Sequence, residues 1–184
     1  MRRSLAVFGL TLLLSGGAVL IYLNSAGSGE NQLNLMLRLS AWGALLVYLI
    51  VFVARPLKQL IKAPFSRRLL QNRRYVGVAL AAVMTVHLVL LLQVNEQAFN
   101  FGGAIVYALL FLMLLTSFDG AAAKIGPRNW RWLHKAGLYG LGIGYLGAIG
   151  RELLDAPLDP VYLALTALMI AAITIRAMAY WKYR

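Results

Sequence analysis

Few side chains in this sequence could do chemistry, and two histidines stand out among them. The 184 residues contain no cysteine, which excludes disulfides, thiolate metal sites, iron–sulfur clusters and cysteine nucleophiles. There is no HExxH motif and no Ser/His/Asp set, so a metalloprotease or a serine protease lacks its parts. Every acidic residue lies at the end of an apolar stretch, so a proton-coupled carrier lacks its buried carboxylate.

His87 lies deep inside an apolar stretch. It follows Arg74 by 13 residues, which is about 20 Å at the rise of a helix. An ionisable side chain at such a depth in a membrane is a functional candidate, and haem ligation is a leading use. A structural histidine, bonded to a carbonyl or hydroxyl of a neighbouring helix, is the alternative, and both interpretations stay open.

His134 has a different setting, at the start of a later apolar stretch. It ends the run Arg-Asn-Trp-Arg-Trp-Leu-His, in which Trp130 and Trp132 precede it. Tryptophan is enriched where a membrane meets water. The local sequence therefore favours an interfacial, structural role for His134 over ligation.

The elements that position both histidines are six stretches free of charged residues, in a chain that is 61% hydrophobic. A membrane-spanning helix needs about 20 mostly apolar residues. The apolar runs are continuous rather than alternating, which excludes a β-barrel. The sequence predicts a single all-α transmembrane domain over residues 1–184, a bundle of six transmembrane helices. The predicted helices cover about residues 5–23, 36–54, 75–94, 99–118, 132–150 and 160–180.

The charges predict how this bundle is oriented. The chain has 18 Lys and Arg against 6 Asp and Glu, a net charge of +12. Sixteen of the 18 basic residues fall on one side of the predicted helices, and five of the six acids fall on the other. The positive-inside rule then places both termini in the cytoplasm. We expect the membrane to be a bacterial-type inner membrane. We expect the charge to meet the lipid bilayer and not nucleic acid.

Two segments allow alternatives. The first stretch could be a signal peptide with small residues at Ser25–Ser28, although its apolar run is longer than usual, which favours a retained helix. The basic segment Arg55–Arg74 could be a short interfacial helix on anionic lipid or a solvated loop.

Several short motifs together resemble the ferric reductase-like transmembrane domain family. Within that family they are most similar to the haem-binding membrane subunit of the bacterial periplasmic methionine sulfoxide reductase system. The similarity runs from about Leu37 to Leu146. The motifs are Arg55-Pro56-Leu57, Arg73-Arg74-Tyr75-Val76-Gly77 followed by His87, Leu115-Thr116-Ser117, and Trp130-Arg131-Trp132-Leu133-His134-Lys135-Ala136-Gly137-Leu138-Tyr139.

The resemblance implies b-type haem between the third and fifth helices, with His87 and His134 as candidate axial ligands of its iron. It also implies that electrons pass from a cytoplasmic flavin or quinol donor towards the outer face. No GxGxxG motif opens a βα unit. We therefore expect at most a membrane electron-transfer subunit, without a catalytic domain of its own, that works with other membrane or periplasmic protein subunits.

This sequence departs from the resembled pattern at Gly147. The pattern has a further histidine there, thirteen residues after the one matched by His134, and pairs it with the one matched by His87. His87 and His134 differ in depth by about 15 Å, whereas two axial ligands of one iron stand about 4 Å apart. Bis-histidine ligation by this pair is therefore disfavoured, and Met84 and Met113 are substitute ligands by residue type only.

The predicted fifth helix is rich in glycine. Gly140, Gly144 and Gly147 could form a groove for a porphyrin, a quinone, a lipid or a partner helix, or they could serve ordinary close helix packing. The glycines and the incomplete ligand set support an alternative function. In that alternative the chain has lost its haem and acts as a structural or assembly subunit of a larger membrane complex.

Overall fold

The computed structural model describes residues 2–25, 30–94 and 101–183. These residues form α-helices with short connections, and no strand occurs among them, which confirms the all-α prediction. Each predicted apolar stretch overlaps its own helix, although the fourth helix ends at Leu115 and not at residue 118. Residues 99–100 and the candidate cleavage residues 26–28 lie outside the described ranges. The helices are α1 (Arg2–Ser25), α2 (Glu30–Leu60), α3 (Pro64–Val94), α4 (Phe101–Leu115), α5 (Asp119–Asp155) and α6 (Pro160–Lys182).

The basic segment between the second and third apolar stretches is mostly helical. Only residues 61–63 separate α2 from α3, so of the two alternatives for this segment the solvated loop is wrong. Lysine and arginine are good helix formers, so both helices continue through the charged residues. Pro64 begins α3, where its missing N–H leaves no helical hydrogen bond unmade.

Helix α5 contains a break at Gly126. This residue has φ 77° and ψ 159°, a backbone conformation that favours glycine, and Pro127 follows it. The break divides α5 into a short piece, 119–125, and a long piece, 127–155. The long piece contains the predicted apolar stretch, and the short piece connects it to α4.

Contacts between α4 and α5 fix their relative direction. A methyl group added to each of three α5 glycines would meet an α4 side chain: Gly137 meets Met113, Gly140 meets Leu109 and Gly144 meets Val106. Along these contacts the residue numbers on α4 decrease as those on α5 increase. The two helices therefore pack as an antiparallel hairpin through small residues, which allow close approach.

Helix α2 lies at the centre of the bundle. Tyr48 is fully buried and donates a hydrogen bond to the Leu138 carbonyl of α5 at 3.0 Å. On its other side α2 contacts α6, through the Trp42–Tyr162 ring pair near one end. Near the other end, the Arg176 guanidinium donates to the Phe52 carbonyl at 3.1 Å. Positions on α2 and α6 rise together, so these helices run in the same direction, while α2 runs opposite to α3 and α5.

A smaller apolar cluster joins α1 to this bundle. Val86 and Leu90 of α3 are buried there with Met36 of α2, and side chains such as Leu12 and Val19 of α1 pack against them. The apolar part of α1, Leu5–Ile21, is shorter than the long apolar helices.

Among the described residues, three helical stretches are long and apolar enough to cross a membrane: Gln32–Leu60, Pro64–Val94 and Pro160–Lys182. Helices α4 and α5 meet this criterion as a pair bent by 114°, which makes up to four crossings if the pair is one span. Large apolar side chains are exposed along the helices, as Leu13 at 74% and Ile143 at 71% illustrate. Such a surface is compatible with contact to a lipid bilayer. Six crossings and the cytoplasmic placement of both termini stay predictions.

Candidate functional site

His87 is held by a hydrogen bond from α2. Its Nδ1 lies 2.9 Å from the hydroxyl oxygen of Ser40, and that hydroxyl lies 2.8 Å from the Leu37 carbonyl, to which it donates. When Ser40 gives its one hydroxyl proton to the Leu37 carbonyl, its oxygen accepts from His87 and Nδ1 carries the imidazole proton. In this tautomer the lone pair is on Nε2.

The hairpin of α2 and α3 brings these two side chains together. Ser40 lies 20 residues before the end of α2 at Leu60, and His87 lies 23 residues after Pro64 at the start of α3. These separations are about 30 and 35 Å along antiparallel helices, so the two residues meet at one depth. Sequence reasoning missed Ser40, although a serine at a matching distance from the turn was a usable signal.

Helices α3 and α5 share a register that relates His87 to Gly147. The Tyr145 hydroxyl donates to the Met84 sulfur at 3.3 Å, and the two helices run in the same direction. His87 lies three residues beyond Met84, about 4.5 Å, and Gly147 lies two beyond Tyr145, about 3 Å. We call this shared depth the outer level. A methyl group added to Gly147 would meet nothing within 4 Å, so its side faces open space.

His134 is engaged in a structural contact at the other end of the bundle. Its Nε2 lies 3.2 Å from the hydroxyl of Thr116, which in turn donates to the Leu112 carbonyl at 2.8 Å. When Thr116 donates to that carbonyl, its oxygen accepts from His134, and Nε2 carries the proton in this tautomer. The Trp130 ring stacks on His134 at 4.2 Å and donates from its Nε1 to the Thr116 carbonyl at 2.9 Å.

These contacts follow from local sequence. Trp130 and His134 are four residues apart on α5 and therefore share a face of the helix. Thr116 lies directly after α4, in the connection that folds against this face. The interfacial, structural role favoured by the sequence agrees with this geometry, and ligation through Nε2 would require the bond to Thr116 to break.

The two histidines are too far apart to bind one iron. His87 lies three residues beyond Met84, and His134 lies eleven residues before Tyr145, so about 21 Å separates them along the helices. This exceeds the 15 Å inferred from sequence and the roughly 4 Å that two axial ligands require. We call the depth of His134 the inner level. Its charged neighbour there is Arg73 of α3, a cation that cannot ligate iron.

His87 is a better candidate for a haem ligand than His134, whose ring is hydrogen-bonded by Thr116 and stacked on Trp130. His87 offers a lone-pair nitrogen at the outer level, whereas Met84 already accepts the Tyr145 hydrogen bond. Met113 packs against Gly137. No group of three or more His, Asp or Glu residues that could hold another metal occurs within the described ranges.

Two glycines of the predicted groove, Gly140 and Gly144, lie against side chains of α4. Leu109 of α4 would lie 3.2 Å from a methyl group on Gly140, and Val106 would lie 3.5 Å from one on Gly144. These two glycines therefore serve close helix packing, as the alternative interpretation of the sequence proposed. Gly147 has no such contact with α4.

The basic end of the bundle is tied together by arginines. Arg176 of α6 lies over the rings of Phe52 and Tyr139, at 4.5 and 4.8 Å. Arg74 of α3 donates to the Asp119 carboxylate at 2.6 Å. Asp119 lies between the apolar parts of α4 and α5, and the hydrogen bond and charge of Arg74 lower the pKa of its carboxyl. These contacts connect α3 to α5, and α6 to α2 and α5.

Comparison with known proteins adds no relative to this picture. No protein-family model matches the chain, and searches of curated proteins and of solved structures found no match. The similarity to the ferric reductase-like family therefore stays a prediction from the quoted motifs.

Proposed function

We propose that this chain is a membrane-embedded redox subunit of ferric reductase-like type, which holds one b-type haem at the outer level through His87. The observation that supports the proposal is the hydrogen bond between His87 and Ser40. Ligating histidines usually donate their second ring N–H to such a partner, which fixes the tautomer and the ring orientation. Bound haem would supply one-electron transfer.

The residues around His87 have distinct tasks in this proposal. Ser40 keeps Nδ1 protonated and raises the basicity of Nε2. Gly147, at the same depth on α5, leaves the opposite side without a protein ligand. Apolar neighbours of His87 on α3, such as Val86 and Leu90, are buried and help to exclude water. In this proposal the chain works with a separate partner protein.

The proposed membrane arrangement has six crossings, with both termini in the cytoplasm of an inner membrane. Two observations support it: the alternating directions of α2 to α6, and the concentration of basic residues at one end of the bundle. The outer level then lies in the half of the membrane away from the cytoplasm, where the resembled family delivers electrons.

The visible spectrum of the purified protein tests the proposal. Protein from haem-replete cells should show a Soret band, and His87→Ala should lose it. His134→Ala is the matched control, because it removes the other imidazole but leaves the outer level intact. A colourless wild-type protein, or equal haem loss in both variants, would contradict ligation by His87.

A haem-free structural or assembly subunit is the second candidate function. Two observations favour it, because residues that were candidates for a cofactor site take part in packing. Side chains of α4 lie against Gly140 and Gly144, and Thr116 is hydrogen-bonded to His134. This candidate predicts a colourless protein that co-purifies with a larger membrane complex. A red protein that purifies alone would exclude it.

A further inference from the structure

A basic cleft opens where the turn between α2 and α3 meets the end of α6. Its volume is about 450 Å³, and its lining includes Lys58, Lys62 and Arg67 together with Tyr183. Ser66 and His87 are 21 residues apart on α3, so the cleft is about 30 Å from the proposed haem ligand. It is therefore a separate site.

Hydrogen bonds build the walls of this cleft. Tyr183 donates from its hydroxyl to the Gln59 carbonyl at 2.7 Å, which fixes the end of α6 against α2. The Ser66 hydroxyl lies 2.6 Å from the Ile61 carbonyl and 2.9 Å from the Ala63 carbonyl, which fixes the turn. The hydroxyls of Tyr183 and Ser66 are thus engaged with the backbone. The side chains that remain to bind a ligand are the three cations Lys58, Lys62 and Arg67.

Within residues 2–25, 30–94 and 101–183, no acidic side chain is found in an ion pair with these cations. The cleft has no Asp or Glu in its lining, and the ion pair found among the described residues joins Arg74 to Asp119 elsewhere. Three like charges around one cleft repel one another, and a bound anion would relieve that repulsion. The electrostatics therefore favour an anionic ligand.

The surroundings of the cleft indicate that the anion belongs to a lipid. Trp181 and Tyr180 of α6 are exposed at 76% and 57%, and Phe65 at the start of α3 is exposed at 55%. Exposed aromatic residues beside basic ones are typical of the headgroup depth of a membrane. We propose that the cleft binds the phosphate of an anionic phospholipid headgroup.

Lipid binding by charge-neutralised variants tests this site. Purified protein in neutral detergent is titrated with phosphatidylglycerol, and bound lipid is counted by native mass spectrometry. Wild type should bind phosphatidylglycerol saturably and phosphatidylcholine weakly. The double variant Lys62→Gln/Arg67→Gln should bind about 30-fold more weakly. It removes two basic residues, and each contributes about 1 kcal/mol to binding near an anionic surface.

The matched control is Lys124→Gln/Arg128→Gln, which removes two exposed charges on α5 that do not line the cleft. It should bind as wild type does. Equal weakening in both double variants would overturn the site and leave only a diffuse basic surface. Displacement of the lipid by millimolar glycerol phosphate would also overturn it, because the cleft would then take a free anion.

Discussion

Gly142 offers a sharp test of how α2 packs on α5. A methyl group at this position would lie 2.6 Å from the Tyr48 hydroxyl oxygen and 3.6 Å from the ring carbon that bears it. Tyr48 cannot move away freely, because it is fully buried and bonded to the Leu138 carbonyl. In Gly142→Ala we expect overpacking to lower the free energy of unfolding by about 1–3 kcal/mol.

Two comparisons isolate that strain. Alanine is the better helix former by about 1 kcal/mol, and Gly147→Ala should show this gain alone because it meets no neighbour. Tyr48→Phe removes the clashing oxygen and costs about one hydrogen bond, 0.5–1.5 kcal/mol. In the Tyr48→Phe background, Gly142→Ala should therefore lose its penalty, giving a coupling energy of about 1–3 kcal/mol.

Reversible unfolding in mixed micelles, followed by circular dichroism, measures all four members of this cycle. The expected result is a strongly non-additive cycle, with the double variant about 1 kcal/mol more stable than Tyr48→Phe alone because only the helix-propensity gain of alanine remains. If the two changes are additive, the Tyr48 hydroxyl does not lie over Gly142, and the described contact between α2 and α5 is wrong.

Three further predictions address the ligand level, the break in α5 and the ion pair. Gly147→His should place a second imidazole at the depth of His87 and convert any bound haem to a six-coordinate, low-spin form, seen in the reduced visible spectrum. Gly126→Ala should lower the free energy of unfolding by about 1–3 kcal/mol, because φ 77° with ψ 159° is a conformation that residues other than glycine rarely adopt; thermal unfolding measures this. Because the pKa of Asp119 is lowered in the folded protein, its ion pair with Arg74 stabilises the fold at pH values above the pKa of the unfolded state. This stabilisation is lost as the pH falls through the pKa of the folded state. The free energy of unfolding, measured as a function of pH, checks this prediction. The variant Asp119→Asn should not show the loss.

Sequence periodicity and charge located all six helices but not their ends. Apolar runs define where lipid or core contact is possible, whereas Lys58 and Arg68 continue their helices because intrinsic propensity carries a helix past a charge. The break at Gly126 depends on a local backbone conformation that composition does not reveal.

The candidate site was only partly predictable for a similar reason. His87 and His134 were found by residue type and depth, but the proton positions that distinguish them depend on Ser40 and Thr116. Those contacts come from neighbouring helices, and their register is set by packing such as Tyr145 on Met84. A single sequence contains no direct record of that register.

Carbon monoxide binding to the reduced protein tests the single-ligand haem most directly. In the proposed site His87 would be the one protein ligand of the iron, which would leave a position for carbon monoxide. We expect carbon monoxide to shift the Soret band of wild type. A reduced haem whose Soret band does not shift with carbon monoxide, or a protein without haem, would contradict the proposed outer-level site.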